Sequence, residues 1–320
     1  MAPVGVLALA FAVSAGWCLV AMRLGPRLGY VDRLDDDPLK VHKREAVPLG
    51  GVGLYLAVVS STLLAGEFDP VFTTAATIVL ALGVVDDRMG LAPRLRLSVQ
   101  ALAAGWLVVG WGLVDEGVIY ALIAVAVIVV AINAVNLFDG LDGLAGTTGV
   151  ITAAGLGALA LIDESSVVVL VATAAALLGF LIFNWHPARV FLGDGGSYLL
   201  AFLLASEVIR LSPVGELELL ATSAVLGVFV IDLAVTLIRR RARRQPLFLG
   251  DRSHVYDQLV DRGWSIQRVV LITAAAQAVL VAVWLLFGQS LGAVGGFVGS
   301  VLLIAVAIGA LLAAGFTRVD

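Results

Sequence analysis

Residues 117–146 read GVIYALIAVAVIVVAINAVNLFDGLDGLAG. From Val118 to Ile132 the stretch is apolar apart from the Tyr120 hydroxyl. Continued to Asn136, it reaches the roughly 20 residues that a helix needs to cross a hydrocarbon core of about 30 Å. Its end is different, because Asn133, Asn136, Asp139 and Asp142 recur at every third position. That interval puts side chains on one face if a helix continues. Gly140 and Gly143 argue that the helix stops, and favour carboxylates turned into a shared cavity. Packing explains such a pattern poorly; it predicts a membrane helix that delivers polar chemistry to one end.

The same design repeats outward in both directions. The chain has 320 residues, 61% of them hydrophobic and only 14% charged, with a mean hydropathy of +1.05. These values exclude an ordinary soluble domain. Apolar spans are predicted over 2–22, 48–66, 70–85, 97–113, 117–136, 144–162, 166–184, 196–210, 217–238, 267–287 and 291–315. The expected fold is an all-α polytopic membrane protein with 10–11 transmembrane helices, forming a single domain over 1–320. Spans 70–85 and 196–210 are the ones expected to tilt into their neighbours.

Charge placement orients the bundle. With the amino terminus outside, 19 of the 20 Lys and Arg fall on the cytoplasmic side and Arg210 alone falls opposite, as the positive-inside rule requires. The other face carries short acidic turns, among them Glu67, Asp69, Asp115 and Glu116. The first span lacks a basic leader and is followed by Arg23 and Arg27, so it is read as a retained helix. Cys18 is the only cysteine, which excludes an intrachain disulfide.

Every chemically suggestive motif lies on the cytoplasmic side. Segment 32–51 reads DRLDDDPLKVHKREAVPLGG; its basic cluster is first an orientation signal and a headgroup contact for membrane lipid. Asp86 and Asp87 close the span before RMGLAPRLRL. An adjacent carboxylate pair at that depth needs water or a cation, and its open geometry suits Mg²⁺. Segment 184–198 reads NWHPARVFLGDGGSY. There the start of a helix offers backbone N–H groups to an anion while Asp194 remains for a metal. Asp232 lies inside an apolar span and should face a polar cavity or a partner. Five Arg between 239 and 244 anchor the inner side, and His254, beside Arg252, lies in a turn suited to phosphate.

Taken together these segments resemble the polyprenyl-phosphate N-acetylhexosamine-1-phosphate transferases, a membrane family that includes the phospho-N-acetylmuramoyl-pentapeptide transferases. The resemblance runs in order from Asp36, Pro38, Lys40, His42, Pro48, Gly50 and Gly51, through Asp86–Asp87 and Asn133 to Ala145, to Phe191–Ser197 with Asn184 and Pro187 before it. The carboxy-terminal motif departs from the family. Where many members carry several histidines, this chain has only His254, in DRSHVYDQL, which looks like the branch that begins O-antigen-type polysaccharides.

The resemblance implies transfer of a sugar 1-phosphate from a UDP-N-acetylhexosamine to a polyprenyl phosphate, undecaprenyl or decaprenyl, with release of UMP. It implies Mg²⁺, or Mn²⁺, held by Asp87 and Asp194 with Asp139 or Asp142 nearby. Asp86 is assigned any remaining proton transfer, and His42, Lys43, Arg44, Arg252 and His254 the phosphate oxygens. Asn133 and Asn136 belong to the same substrate-binding motif. Asn184 and Phe191 are placed on the nucleotide side, with Phe191 stacked on uracil. No nucleic-acid partner is expected. Glycines 292, 295, 296 and 299 suit a homodimer.

Two other readings compete. A transporter predicts polar residues near the midplane and access from both faces. A membrane prenyltransferase predicts Asp pairs one helical turn apart in two separate motifs. The polar motifs of this chain instead collect at one face.

Overall fold

A computed structural model describes residues 3–32, 45–245 and 252–316. Among these, every predicted span is helical. The helices are α1 (Pro3–Leu28), α2 (Gly50–Ala65), α3 (Pro70–Met89), α4 (Pro93–Gly110), α5 (Val118–Phe138) and α6 (Leu144–Ile162). They continue with α7 (Val168–Asn184), α8 (Gly193–Leu211), α9 (Glu216–Ser223), α10 (Gly227–Ala242), the short α11 (Val255–Asp261) and α12 (Ile266–Ala313). Among the described residues, seven stretches are long and apolar enough to cross a membrane, and α2 and α7 are shorter apolar helices. The protein is an all-α, multi-pass membrane protein.

α8 is the axis of the bundle. Sixteen of its nineteen residues are buried, and α2, α3, α5, α6 and α7 all pack against it. A helix apolar on every side belongs in such a position. α3 approaches it backbone to backbone: a Cβ on Gly83 would lie 2.4 Å from the Asp194 carbonyl carbon and from Gly195. α2 does the same, with a Cβ on Gly51 reaching 2.3 Å from the Gly196 Cα. These glycines let the ends of three helices converge at one point.

Two spans are not continuous. Span 217–238 is α9, a 3₁₀ turn at Ala224–Leu226, and α10. In lipid, backbone groups released by such a break need internal partners, and Gln277 of α12 supplies them. Its Nε2 donates to the Val225 carbonyl at 2.7 Å and to Thr152 Oγ1 at 2.9 Å, while its Oε1 accepts the Val228 N–H at 3.2 Å. The spans predicted over 267–287 and 291–315 meet in α12 at Gly292, whose φ of 66° breaks the helical path.

The described residues form no strand, only two isolated bridges, Asp32 with Ala46 and Val47 with Val190. The first joins the residues after α1 to those ahead of α2, and the second joins the residues ahead of α2 to the loop ahead of α8. The first N–H groups of α2, orphaned by helix geometry, donate to that loop: Gly50 to Phe191 O at 2.9 Å and Gly51 to Leu192 O at 3.1 Å.

Candidate active site

A cavity of about 270 Å³ opens where α3 and α5 end and α2 and α8 begin. Its lining includes Asp87, Asn136, Asp139, Asp142, Asn184, Phe191 and Asp194, and also Asp32. Seven residues singled out from the sequence thus meet in one place. No Lys or Arg lines the cavity among the described residues.

Asp87 and Asp194 are joined through α8. The Asp87 carboxylate accepts the N–H groups of Asp194, at 2.9 Å, and Gly195, at 3.4 Å. This corrects the expectation that the start of α8 is offered to an external anion, because the chain supplies its own capping carboxylate. Gly193 makes the approach possible. Its φ is +70°, and a Cβ there would lie 2.7 Å from Asp87 Oδ2 and from Pro48 O. Asn136 Nδ2 donates to Asp194 Oδ1 at 2.7 Å and to Ser197 Oγ at 3.1 Å.

α5 ends at Phe138, as the glycines predicted, and Asp139 and Asp142 lie on the turn that follows. Burial, reinforced by the charges of Asp194, Asp87 and Asp142, raises the Asp139 carboxyl well above the usual carboxylate range. Asp142 is tied across the cavity rim, accepting the Ala188 N–H at 3.0 Å and pairing with His186 Nδ1 at 2.7 Å. Asn184 binds the two loops together, accepting the Gly143 N–H and donating to Val190 O, both at 2.9 Å. It lines the cavity, but its amide holds the frame rather than standing ready for a nucleotide.

Other assignments are corrected. Asp86 is only 4% exposed and does not line the cavity. It accepts from Tyr198 Oη at 2.6 Å, the Leu91 N–H at 2.7 Å and Arg96 Nη1 at 3.1 Å. With these three donors on its oxygens, one of them a guanidinium, and no place in the cavity lining, Asp86 is poorly placed to take a proton from a substrate bound there. Asn133 faces away from the cavity, donating to Gln100 Oε1 on α4 at 2.8 Å. His254 is buried and its Nδ1 pairs with Asp232 Oδ2 at 2.7 Å, while Val255 N–H reaches Asp232 Oδ1 at 3.0 Å. The intramembrane carboxylate therefore has the partner expected of it, and satisfying it places the imidazole outside the cavity lining. Arg252 lies 3.6 Å from Asp261, also outside the lining. His42, Lys43 and Arg44 lie outside the described residues.

Sequence reasoning missed His186, Asp32, Tyr198 and Arg96. A histidine beside Pro187 in a loop between membrane helices was the available signal for the first. The others take their meaning from partners distant in the chain.

The donor set bears on the cation. Among the described residues no three His, Cys, Asp or Glu side chains cluster tightly enough to hold a metal by themselves. Mg²⁺ commonly takes one or two carboxylates and completes its shell with water and substrate phosphate. Five aspartates line the cavity, and no Lys or Arg does among the described residues, a donor set that suits that mode. The residues therefore fit a divalent cation.

The chain is thus a helical membrane bundle with an acidic cavity at one end of its helices. Residues 70–212 match the family model for Glycosyl transferase family 4. The chain is 30% identical over 277 residues to a probable undecaprenyl-phosphate N-acetylglucosaminyl 1-phosphate transferase of Bacillus subtilis, covering 79% of this chain and 76% of that protein. It is 30% identical over 310 residues to the decaprenyl-phosphate N-acetylglucosaminephosphotransferase of Mycolicibacterium smegmatis, covering 81% and 75%. It is 33% identical over 294 residues to the phospho-N-acetylmuramoyl-pentapeptide-transferase of Moorella thermoacetica, covering 79% and 90%. The chain belongs to glycosyl transferase family 4.

Proposed function

We propose that the protein transfers N-acetylhexosamine 1-phosphate from a UDP-sugar, of the N-acetylglucosamine class, to a membrane polyprenyl phosphate. An oxygen of the acceptor phosphate bonds to the β-phosphorus of the donor. The bond from that phosphorus to the bridging oxygen breaks, and UMP leaves with the electron pair. The product is a polyprenyl-diphospho-sugar, a first membrane intermediate for cell-envelope polysaccharide.

The observation that carries this reading is the meeting of Asp87, Asp139, Asp142 and Asp194 around one cavity at the ends of membrane helices. Asp87 and Asp194 are the proposed ligands of Mg²⁺, with Asp139 beside them. When bound, the cation supplies neutralisation of the diphosphate charge. Asn136 orients Asp194 by its hydrogen bond. The acceptor, a phosphate monoester with a second pKa of about 6, is already anionic near neutral pH. Alignment therefore matters more than a base, in keeping with the engagement of Asp86 elsewhere. The single histidine of the carboxy-terminal motif counts against the muramoyl pentapeptide as donor and leaves the identity of the N-acetylhexosamine open. We also assign the cavity to the cytoplasmic side with the amino terminus outside, on the distribution of Lys and Arg.

The test is UMP release by purified protein given a polyprenyl phosphate, Mg²⁺ and a panel of UDP-N-acetylhexosamines. Release that needs both lipid and metal supports the reading; none with any donor, in a folded sample, opposes it. Phe191 lines the cavity and is proposed to stack on uracil. Phe191→Ala is then expected to raise the donor KM with kcat largely kept, since such stacking contributes about 1–3 kcal/mol. An unchanged KM would make Phe191 an interface anchor only.

A further inference from the structure

Outside the cavity lining, one side chain joins the carboxylate turn to the segment carrying His254. The Tyr256 ring stacks on the His254 imidazole, with centroids 5.2 Å apart and planes 6° from parallel. It meets Phe138 edge-on at 5.9 Å. Its hydroxyl donates to the Leu137 carbonyl at 2.8 Å. That carbonyl is among the last four of α5, which have no donor within the helix. Asp139 N–H serves Val135 and Asn136, and the phenol serves Leu137. Tyr256 therefore caps the helix that delivers Asn136 and Asp139.

The same hydroxyl fills the space beside Gly140. A Cβ there would lie 2.2 Å from the Tyr256 oxygen and 2.7 Å from its Cζ. The ring is held between His254 and Phe138, so it cannot swing aside cheaply. Gly140 is not among the glycines of positive φ, so close approach, not backbone conformation, accounts for the glycine. His254 is fixed in turn by Asp232 on α10. Contacts thus run from α10 through His254 and Tyr256 to the turn that bears Asp139 and Asp142.

We propose that Tyr256 is a positioning residue, capping α5 and seating the 139–142 turn so that its carboxylates face the cavity. The inference rests on the function proposed above for its kinetic consequence, while the contact is testable apart from it. In the full chain, Tyr256→Phe is expected to lower kcat per folded enzyme by about tenfold, equivalent to about 1.4 kcal/mol, with donor KM within about twofold. Gly140→Ala should fall further in both kcat and thermal unfolding midpoint. The double variant Gly140→Ala/Tyr256→Phe should do no worse than Gly140→Ala alone, because the nearest clashing atom is gone, leaving the ring carbons at 2.7 and 2.8 Å, and groups in contact are non-additive. An unchanged kcat in Tyr256→Phe overturns the proposal. So does a loss that follows the folded fraction, or independent losses in the double variant. Because the cycle is also read as an unfolding midpoint, absence of coupling is distinguishable from a chain that turns nothing over.

Discussion

Asp194→Asn is expected to abolish UMP release, by roughly 10²–10³-fold or more, the scale on which groups that stabilise developing charge act, while leaving the protein folded. The substitution keeps the side-chain volume. Its carbonyl oxygen can still accept the Asn136 amide that now reaches Asp194 Oδ1 at 2.7 Å. What disappears is the negative charge offered to a cation. Asp87→Asn should be equally inactive but less stable. Both oxygens of Asp87 accept N–H groups from the first turn of α8, and an amide has only one acceptor oxygen. Losing part of such a cap costs about 0.5–2 kcal/mol. Turnover and unfolding midpoint measured together separate the two variants. Substantial residual activity in Asp194→Asn would defeat its assignment as a ligand.

Gly83→Ala is expected to damage both the packing of α3 on α8 and turnover. The new Cβ would meet the Asp194 carbonyl carbon and Gly195 at 2.4 Å, and these are backbone atoms of the central helix, which cannot yield. α3 must move outward, carrying Asp87 away from the N–H groups of Asp194 and Gly195. Overpacking of this kind typically costs about 1–3 kcal/mol in stability, and loss of alignment adds an activity loss of about a hundredfold. An addition at Gly105, where a Cβ meets nothing within 4 Å, should be nearly silent. The pair is compared by detergent-solubilised yield, unfolding midpoint and UMP release. A Gly83→Ala protein with normal turnover would mean that α3 and α8 are not in backbone contact.

These expectations mark where the sequence was legible. In a chain so apolar, charge is tolerated mainly at helix ends, so the motifs that interrupt the spans had to gather at the membrane boundary. That is why Asp87, Asn136, Asp139, Asp142, Phe191 and Asp194 were found before the fold and do meet in one cavity. The glycines around Asp139 and Asp142 located the end of α5, because a helix former would have continued it.

The choice between neighbours was not legible. Asp86 and Asp87 lie about 100° apart around α3, and which one faces the cavity depends on where Tyr198 and Arg96 arrive from other helices. His254 was read as a phosphate ligand because its loop is polar; its partner, Asp232, is brought to it by the fold. The start of α8 was placed at Gly196, three residues late, and wrongly furnished, since the anion that caps it comes from α3. Gly83 gave no signal, because a small residue in a membrane helix is common and its partner lies more than a hundred positions away.

The most direct test of the central claim is to follow the phosphorus. UDP-N-acetylglucosamine radiolabelled at the β-phosphorus, incubated with the protein, Mg²⁺ and polyprenyl phosphate, should pass its label into the organic-extractable lipid as unlabelled UMP appears. Label that stays in the water phase as UDP while sugar enters the lipid would show that only the sugar moves, and would contradict sugar 1-phosphate transfer.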